Sequence, residues 1–144
     1  MTAGNPEGVR RCIQAAIKSA RIEPSEIDLI SGHLTATRAD PVEVCNWRAA
    51  LNSDTGSFPL INAPKSLIGH TLGAAGAIES VASVLQIHEG FVHPSINCED
   101  LHPGLEWCRN HIPHQYEQRE IRTVAKAAFG FGDINACIIF RQFQ

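Results

Sequence analysis

The chain has 144 residues, which is enough for one domain with a hydrophobic core. Its 12 basic and 15 acidic residues give a net charge of −3, so the composition predicts neither a positively charged surface for nucleic acid nor a polybasic membrane patch. No apolar run is long enough to span a bilayer, and the first residues lack the charged and apolar regions of a signal peptide. Five scattered cysteines without a Cys-x-x-Cys pair indicate reduced thiols, so we expect a cytoplasmic protein.

Helices and strands alternate in the first half of the predicted chain. Apolar periodicity and capping residues predict a helix over 6–21, a strand over 27–30, a helix over 41–51 and a strand over 58–62. In the second helix, Asp40 is the expected N-cap, Pro41 fits the first turn, and Glu43 stands where a capping-box acid would.

The second half begins with a row of small residues, Gly73 to Ala77, which would let a helix approach another backbone closely. A helix is predicted over about 73–88, with Ile78, Val81, Ala82 and Leu85 on its apolar face. Residues 99–120 are polar and predict a surface loop with at most one short strand. A strand over 123–129 and a returning strand over 135–143 predict a C-terminal hairpin. These elements indicate an α/β fold, a mixed sheet with packed helices.

His33 and Lys65 each follow a predicted strand, and ligand sites in open α/β sheets lie outside such strand ends. A neutral imidazole donates a hydrogen bond to a carbonyl oxygen that becomes negative, so His33 and His70 together would stabilise an enolate. Lys65 would disfavour protonation of a nearby imidazole and would also orient an acidic group such as Glu43. On spacing alone the simpler interpretation is favoured, in which both histidines cap loops and Lys65 is a solvated charge.

Three other patterns are weaker when taken alone. The turn Gly130-Phe131-Gly132 would expose a backbone N–H to an oxyanion, but an ordinary hairpin turn explains the glycines equally well. The spacing of Cys108, His111 and His114 matches no standard zinc finger, so we expect no metal. None of the cysteines sits at a strand-to-helix elbow, so we expect no nucleophile in this chain.

Taken together, the motifs resemble the C-terminal half of a β-ketoacyl-acyl-carrier-protein synthase of the elongating Cys-His-His type. The similar segments are His33 to Thr37, Asp40 to Glu43, Lys65 to Gly76, Pro94 to Asn97 and Phe129 to Ala136. They span essentially the whole chain in the family's order. The chain departs from the family where Leu34, Ala36 and Asp133 replace glycines, which affects the expected pocket shape and loop conformation.

The resemblance implies a thiolase-like half and assigns roles to individual residues. Residues 1–144 would form the C-terminal domain, and the nucleophilic cysteine would belong to a missing N-terminal half. His33 and His70 match the catalytic histidines, and Lys65 matches the active-site lysine. The remaining matches are Glu43 as a buried supporting acid, Phe131 as the gate and oxyanion donor, and Thr35, Thr37 and Phe129 as residues lining the substrate or pantetheine site.

The implied reaction is a decarboxylative Claisen condensation of a malonyl thioester with an acyl thioester, in fatty acid or polyketide synthesis. Acyl carrier protein would be the partner and would bring the phosphopantetheine, so no cofactor of the chain's own is expected. The complete enzyme would be a homodimer, and the isolated chain would be inactive. The alternatives are a non-catalytic chain-length-factor-like subunit, a thiolase-like acyltransferase, and a non-enzymatic surface domain with zinc bound in the 88–114 region.

Overall fold

The computed structural model describes residues 5–143. The signal-peptide expectation concerns residues 1–6, and the first four of these lie outside that range. The helices are α1 (Pro6–Ala20), α2 (Asp40–Leu51), α3 (Lys65–Ile68) and α4 (Ala75–Glu89). The strands are β1 (Leu29–Ser31), β2 (Leu60–Asn62), β3 (Phe91–Val92), β4 (Glu117–Gln118), β5 (Thr123–Gly130) and β6 (Ile134–Arg141). Short 3-10 helices cover Pro24–Glu26, Leu72–Ala74 and Pro103–His111.

A mixed four-stranded sheet in the order β2-β1-β5-β6 organises the molecule. β1 runs parallel to both β2 and β5, and β6 returns antiparallel to β5 as the predicted C-terminal hairpin. Ser31, the last residue of β1, is in register with Asn62 on one side and Lys126 on the other. The carboxyl ends of β1 and β2 therefore meet at one edge, where His33 and Lys65 follow them. The predicted α/β class with a mixed sheet is confirmed.

Apolar burial holds α1 and α2 against one face of this sheet. The Asn5 side chain accepts the Glu7 N–H at 3.1 Å, which caps α1 at its start. Val9, Ile13 and Ile17 recur at helical spacing and pack into a core that also holds the fully buried Trp47 of α2.

The capping prediction for α2 is wrong. The helix begins at Asp40 with Ala39 as its N-cap residue, and no side chain caps it. The Asp40 carboxylate instead accepts N–H groups of the preceding loop, and Glu43 accepts the His33 N–H at 2.7 Å. The loop folds back over the helix start and brings its own unpaired backbone donors to these carboxylates.

The predicted apolar face of α4 is the exposed face. Ile78, Val81 and Leu85 are 41%, 60% and 45% exposed, and Val84 is also exposed. The residues of α4 that are buried against the sheet are Ala75, Glu79, Ser83 and Gln86. Buried polar contacts turn the helix this way, because Glu79 pairs with two lysines and Gln86 accepts from Asn62 at 2.9 Å. The periodicity predicted the helix but not its orientation.

Two further predictions differ from the structure. The close helix approach expected at the small residues does not occur within residues 5–143, since a Cβ added at Gly73 or Gly76 would meet no atom within 4 Å. The stretch expected as a surface loop contains a 3-10 helix that buries Leu105 and Cys108 in the core. The one short strand allowed in this stretch is β4, which pairs with β3. Among the described residues, no helix is both long and apolar enough to cross a membrane.

Candidate active site

The two candidate histidines lie side by side beyond the carboxyl end of the sheet. His33 follows β1 and Gly32, while His70 follows α3 and Gly69, whose φ of 75° lies in the region that favours glycine. Their ring centroids are 5.3 Å apart and the rings meet at 83°. The Phe129 ring lies 6.2 Å from that of His33. Three separate sequence segments therefore converge on one place.

The His33 ring is held in its neutral form. Burial, followed by the charges of Lys65, His70 and Lys126, lowers the pKa of His33 from its ordinary value of 6.5 to about 4, against a smaller opposing effect of Glu79. Its Nδ1 atom is buried and has no hydrogen-bond partner among the described residues. A neutral ring has one N–H to donate, which suits an oxyanion.

The His70 ring is exposed, and a hydrogen bond from the backbone determines which of its two nitrogens carries the proton. His70 Nδ1 accepts the Leu72 N–H at 3.1 Å. An accepting Nδ1 places the proton of the neutral ring on Nε2, so Nε2 is the atom that can donate to a ligand.

Lys65 is buried behind the histidines, and its ion-pair partner differs from the expected one. Lys65 Nζ lies 2.5 Å from Glu79 Oε1, so the expected orientation of Glu43 by Lys65 is replaced by a pair with α4. The second oxygen, Glu79 Oε2, lies 2.6 Å from Lys126 Nζ. Neither Glu79 nor Lys126 was identified from the sequence as a candidate site residue. A lysine in the middle of an apolar strand was the signal that could have identified Lys126.

Glu43 supports the loop that holds His33. Its carboxyl is buried, and burial raises the pKa of Glu43 to about 7 despite the hydrogen bond from the His33 backbone N–H. A Cβ on Gly32 would lie 2.9 Å from Leu34 Cγ and 3.2 Å from Glu43 Oε1, so this close packing requires glycine.

The threonines expected to line the site lie on the loop between β1 and α2. The hydroxyls of Thr35 and Thr37 are 3.2 Å apart, and Asp40 accepts both of their backbone N–H groups. Ala36, at one of the two positions where the family motif has glycine, adopts a left-handed conformation with a φ of 56°. This backbone is the one that glycine would adopt without strain.

Phe131 lies at the tip of the turn between β5 and β6. Its side chain is 80% exposed, whereas Phe129 packs beside His33. Gly132 and Asp133 follow Phe131 with positive φ values of 77° and 61°. The Asp133 carboxylate accepts the side-chain amides of Asn135 and Asn5 at 2.9 and 3.3 Å. Asp133 can therefore replace a glycine because local hydrogen bonds stabilise the turn.

The described part of the chain forms no metal centre, and burial disfavours the thiolate of two of its cysteines. No group of three potential metal-ligating side chains occurs there. Cys108 Sγ donates to the Leu105 carbonyl, and His111 Nε2 contacts the Thr55 carbonyl. Burial raises the pKa of the Cys108 thiol to about 11 and that of Cys137 to about 12, which disfavours the reactive thiolate.

Comparison with known proteins identifies the family. Residues 1–99 match the family described as beta-ketoacyl synthase, C-terminal domain. The chain belongs to this family. The expected resemblance is therefore confirmed, on a match that includes both histidines and Lys65.

Named relatives of this β-ketoacyl synthase domain extend the match to the rest of the chain. The 3-oxoacyl-[acyl-carrier-protein] synthase 2 of Rhizobium meliloti is 38% identical over 137 residues, covering 95% of this chain and 32% of the relative. The chloroplastic synthase I of Arabidopsis thaliana is 36% identical over 138 residues, covering 95% of this chain and 28% of the relative. The chain thus spans about a third of the curated relatives it matches.

Solved structures show the same fold, that of the thiolase-like ketosynthases. The ishigamide ketosynthase/chain length factor superposes with a TM-score of 0.90 at 32% identity, covering 99% of this chain and 34% of the other. The structure of a type II PKS acyl-carrier protein in complex with its ketosynthase bound to the hexaketide superposes with a TM-score of 0.87 at 35% identity. The match covers 100% of this chain and 35% of the other.

Proposed function

We propose that this chain supplies the C-terminal half of the active site of a β-ketoacyl-acyl-carrier-protein synthase. The observation that supports this most directly is that the ring centroids of His33 and His70 lie 5.3 Å apart, while the buried Lys65 forms an ion pair with Glu79. The presence of both histidines together with Lys65 favours a condensing enzyme over a non-catalytic chain-length-factor-like subunit.

The proposed chemistry begins with a malonyl thioester whose carbonyl oxygen accepts N–H bonds from His33 and His70. The bond between the malonyl methylene carbon and its carboxylate breaks, CO₂ leaves, and the electron pair becomes the enolate. Both imidazoles stabilise the negative oxygen where it forms. The enolate carbon then attacks an acyl group held as a thioester on a cysteine of the rest of the enzyme. The cysteine thiolate leaves, and the acyl chain is longer by two carbons.

The neutral form of His33 suits this step. A charged imidazolium would attract the malonyl carboxylate and stabilise the charge that decarboxylation must remove, which raises the barrier. Burial and the neighbouring lysines prevent that charge at neutral pH. Phe131, at the exposed tip of its turn, is proposed as the gate and as an N–H donor to the second oxyanion. Phe129 is proposed to line the substrate site beside His33.

The partners of the proposed enzyme follow from the surface and from the relatives. The exposed apolar row Ile78, Val81, Val84 and Leu85 supports packing of a missing N-terminal half against α4, since a row of this kind is unusual on a free surface. An acyl carrier protein would deliver the substrate on its pantetheine arm, past Thr35 and Thr37. A homodimeric assembly of the complete enzyme and a cytoplasmic location are further proposals; the latter rests on five free thiols.

The test measures malonyl-ACP decarboxylation by the complete enzyme that contains this chain. His70→Ala should lower the rate by roughly 100-fold to 1,000-fold, because one oxyanion donor is lost. His88→Ala is the matched control, since its side chain is 77% exposed on α4, and it should keep the parent rate. Decarboxylation by His70→Ala at the parent rate would remove His70 from its proposed role. The 144-residue polypeptide alone should not elongate an acyl chain, and elongation by it would show that no second half is needed.

A further inference from the structure

The proposed mechanism gives one buried lysine no contact with the substrate. Lys126 stands in the middle of β5 between the buried Ala125 and Ala127, and its side chain is 2% exposed. Lysine is almost never fully buried unless its charge is paired. The position of Lys126 in the sheet therefore requires a partner.

That partner is the carboxylate that also binds the active-site lysine. Lys126 Nζ lies 2.6 Å from Glu79 Oε2, and Lys65 Nζ lies 2.5 Å from Glu79 Oε1. Lys126 also donates to the carbonyl of Ala127. All three side chains of the ion cluster are 5% exposed or less. Glu79 is therefore held from both sides, by α3 through one oxygen and by β5 through the other.

The cluster contains one more positive charge than negative charge, because two ammonium groups share one carboxylate. The charged or titratable groups that face Lys126 are Glu79 on α4, Lys65 on α3, Glu43 on α2, Cys137 on β6 and His33 after β1. Those that face His33 are Lys65, His70, Lys126 and Glu79. Glu43 does not offset the excess fully, because burial raises its pKa to about 7.

We infer that Lys126 is a positioning residue for the decarboxylation step: it fixes Glu79 from the β5 side and leaves Lys65 only partly neutralised, so that His33 stays an uncharged donor. The role in decarboxylation rests on the proposed function. Without Lys126, Glu79 would pair with Lys65 alone, and the charges beside His33 would balance. Protonation of His33 would then cost less free energy, and the ring would take up a proton at a higher pH.

The experiment follows His33 by NMR in the complete enzyme, with His33→Gln used to assign its signal. In Lys126→Met the titration midpoint of His33 should move up by roughly half a pH unit or more. The acidic limb of the pH profile for malonyl-ACP decarboxylation should move in the same direction. Lys126→Arg, which keeps the charge, and Lys18→Met, which removes an exposed lysine, should both keep the parent midpoint.

Several results would overturn the inference. One is an unchanged His33 midpoint in folded Lys126→Met, and another is a Lys126→Arg protein that shifts as far as Lys126→Met. If Lys126→Met does not fold, Glu79→Gln provides the test, since it leaves both ammonium groups uncompensated and should lower the midpoint. A midpoint in Glu79→Gln at or above that of the parent would refute the charge argument. Failure of the proposed function is distinguishable, because it would appear as a parent enzyme without decarboxylation, whereas the titration needs no turnover.

Discussion

Replacing Glu43 with glutamine tests how the buried acid is linked to folding. Glutamine has nearly the same shape, and its Oε1 can still accept the His33 backbone N–H that Glu43 accepts at 2.7 Å. The substitution removes only the ability to gain or lose a proton. Any pH-dependent difference between the two proteins therefore reports the titration of this one carboxyl.

The size of the effect follows from the pKa of Glu43. Burial raises it from an ordinary value of 4.5 to about 7. Between these pH values the folded protein keeps the proton and the unfolded chain releases it, so stability falls as pH rises through this window. At about 1.4 kcal/mol per pH unit, the loss amounts to about 3 kcal/mol. His33 acts in the opposite direction, because its lowered pKa makes stability rise with pH between about 4 and 6.5.

The assay is urea denaturation of parent and Glu43→Gln proteins at pH values from 4.5 to 8, followed by tryptophan fluorescence. Trp47 is fully buried on the same helix and reports unfolding of this region. Relative to the parent, Glu43→Gln should gain about 3 kcal/mol in its free energy of unfolding between pH 4.5 and pH 7.5, with little further gain above. A difference that stays constant with pH, within about 0.5 kcal/mol, would refute the reasoning.

Three further predictions concern the loop and the exposed helix face. Asp40→Ala removes the acceptor of three backbone N–H groups and should lower the free energy of unfolding by about 1–3 kcal/mol, measured by urea denaturation. An unchanged free energy would show that the loop keeps its conformation without these hydrogen bonds. Ala36→Gly should raise the free energy of unfolding by roughly 0.5 kcal/mol, because Ala36 has a φ of 56°. Ala49→Gly inside α2 should lower the free energy of unfolding by about 1 kcal/mol. Equal losses in the two variants would contradict this prediction. Val81→Asp should lower the melting temperature of the complete enzyme by several degrees, and Val42→Asp, at a similarly exposed position on α2, should not; equal shifts would contradict the proposed covering of α4.

The elements and the positions of His33 and Lys65 relative to the strands could be predicted because they depend on local signals. Helical spacing and capping chemistry gave α1 at nearly its true bounds, and strand ends placed His33 and Lys65 at one edge of the sheet. The resemblance added the roles of the histidines. These signals are contained in short segments, so they needed no knowledge of long-range packing.

The errors concern contacts that depend on the path of the chain in three dimensions. Asp40 and Glu43 form a normal capping pattern, yet both carboxylates bind the backbone of a loop whose path the pattern does not show. The pair of Lys65 with Glu79 joins residues on two different elements. Periodicity gives the two faces of a helix but not which of them meets the sheet, and in α4 the face that carries Glu79 and Gln86 meets it.

The two long helices consequently differ in how they are held. α1 is anchored by aliphatic side chains in the core, while α4 rests on its own sheet through Glu79, Ser83 and Gln86. Local opening needs least free energy where few apolar contacts must be broken, so the amides of α4 should exchange with solvent before those of α1. α4 also holds Glu79, the partner of Lys65, and the segment leading to His70 enters it directly. The segments that carry Lys65 and His70 are thus joined to the more loosely held of these two helices, and a partner that covers α4 would also stabilise them.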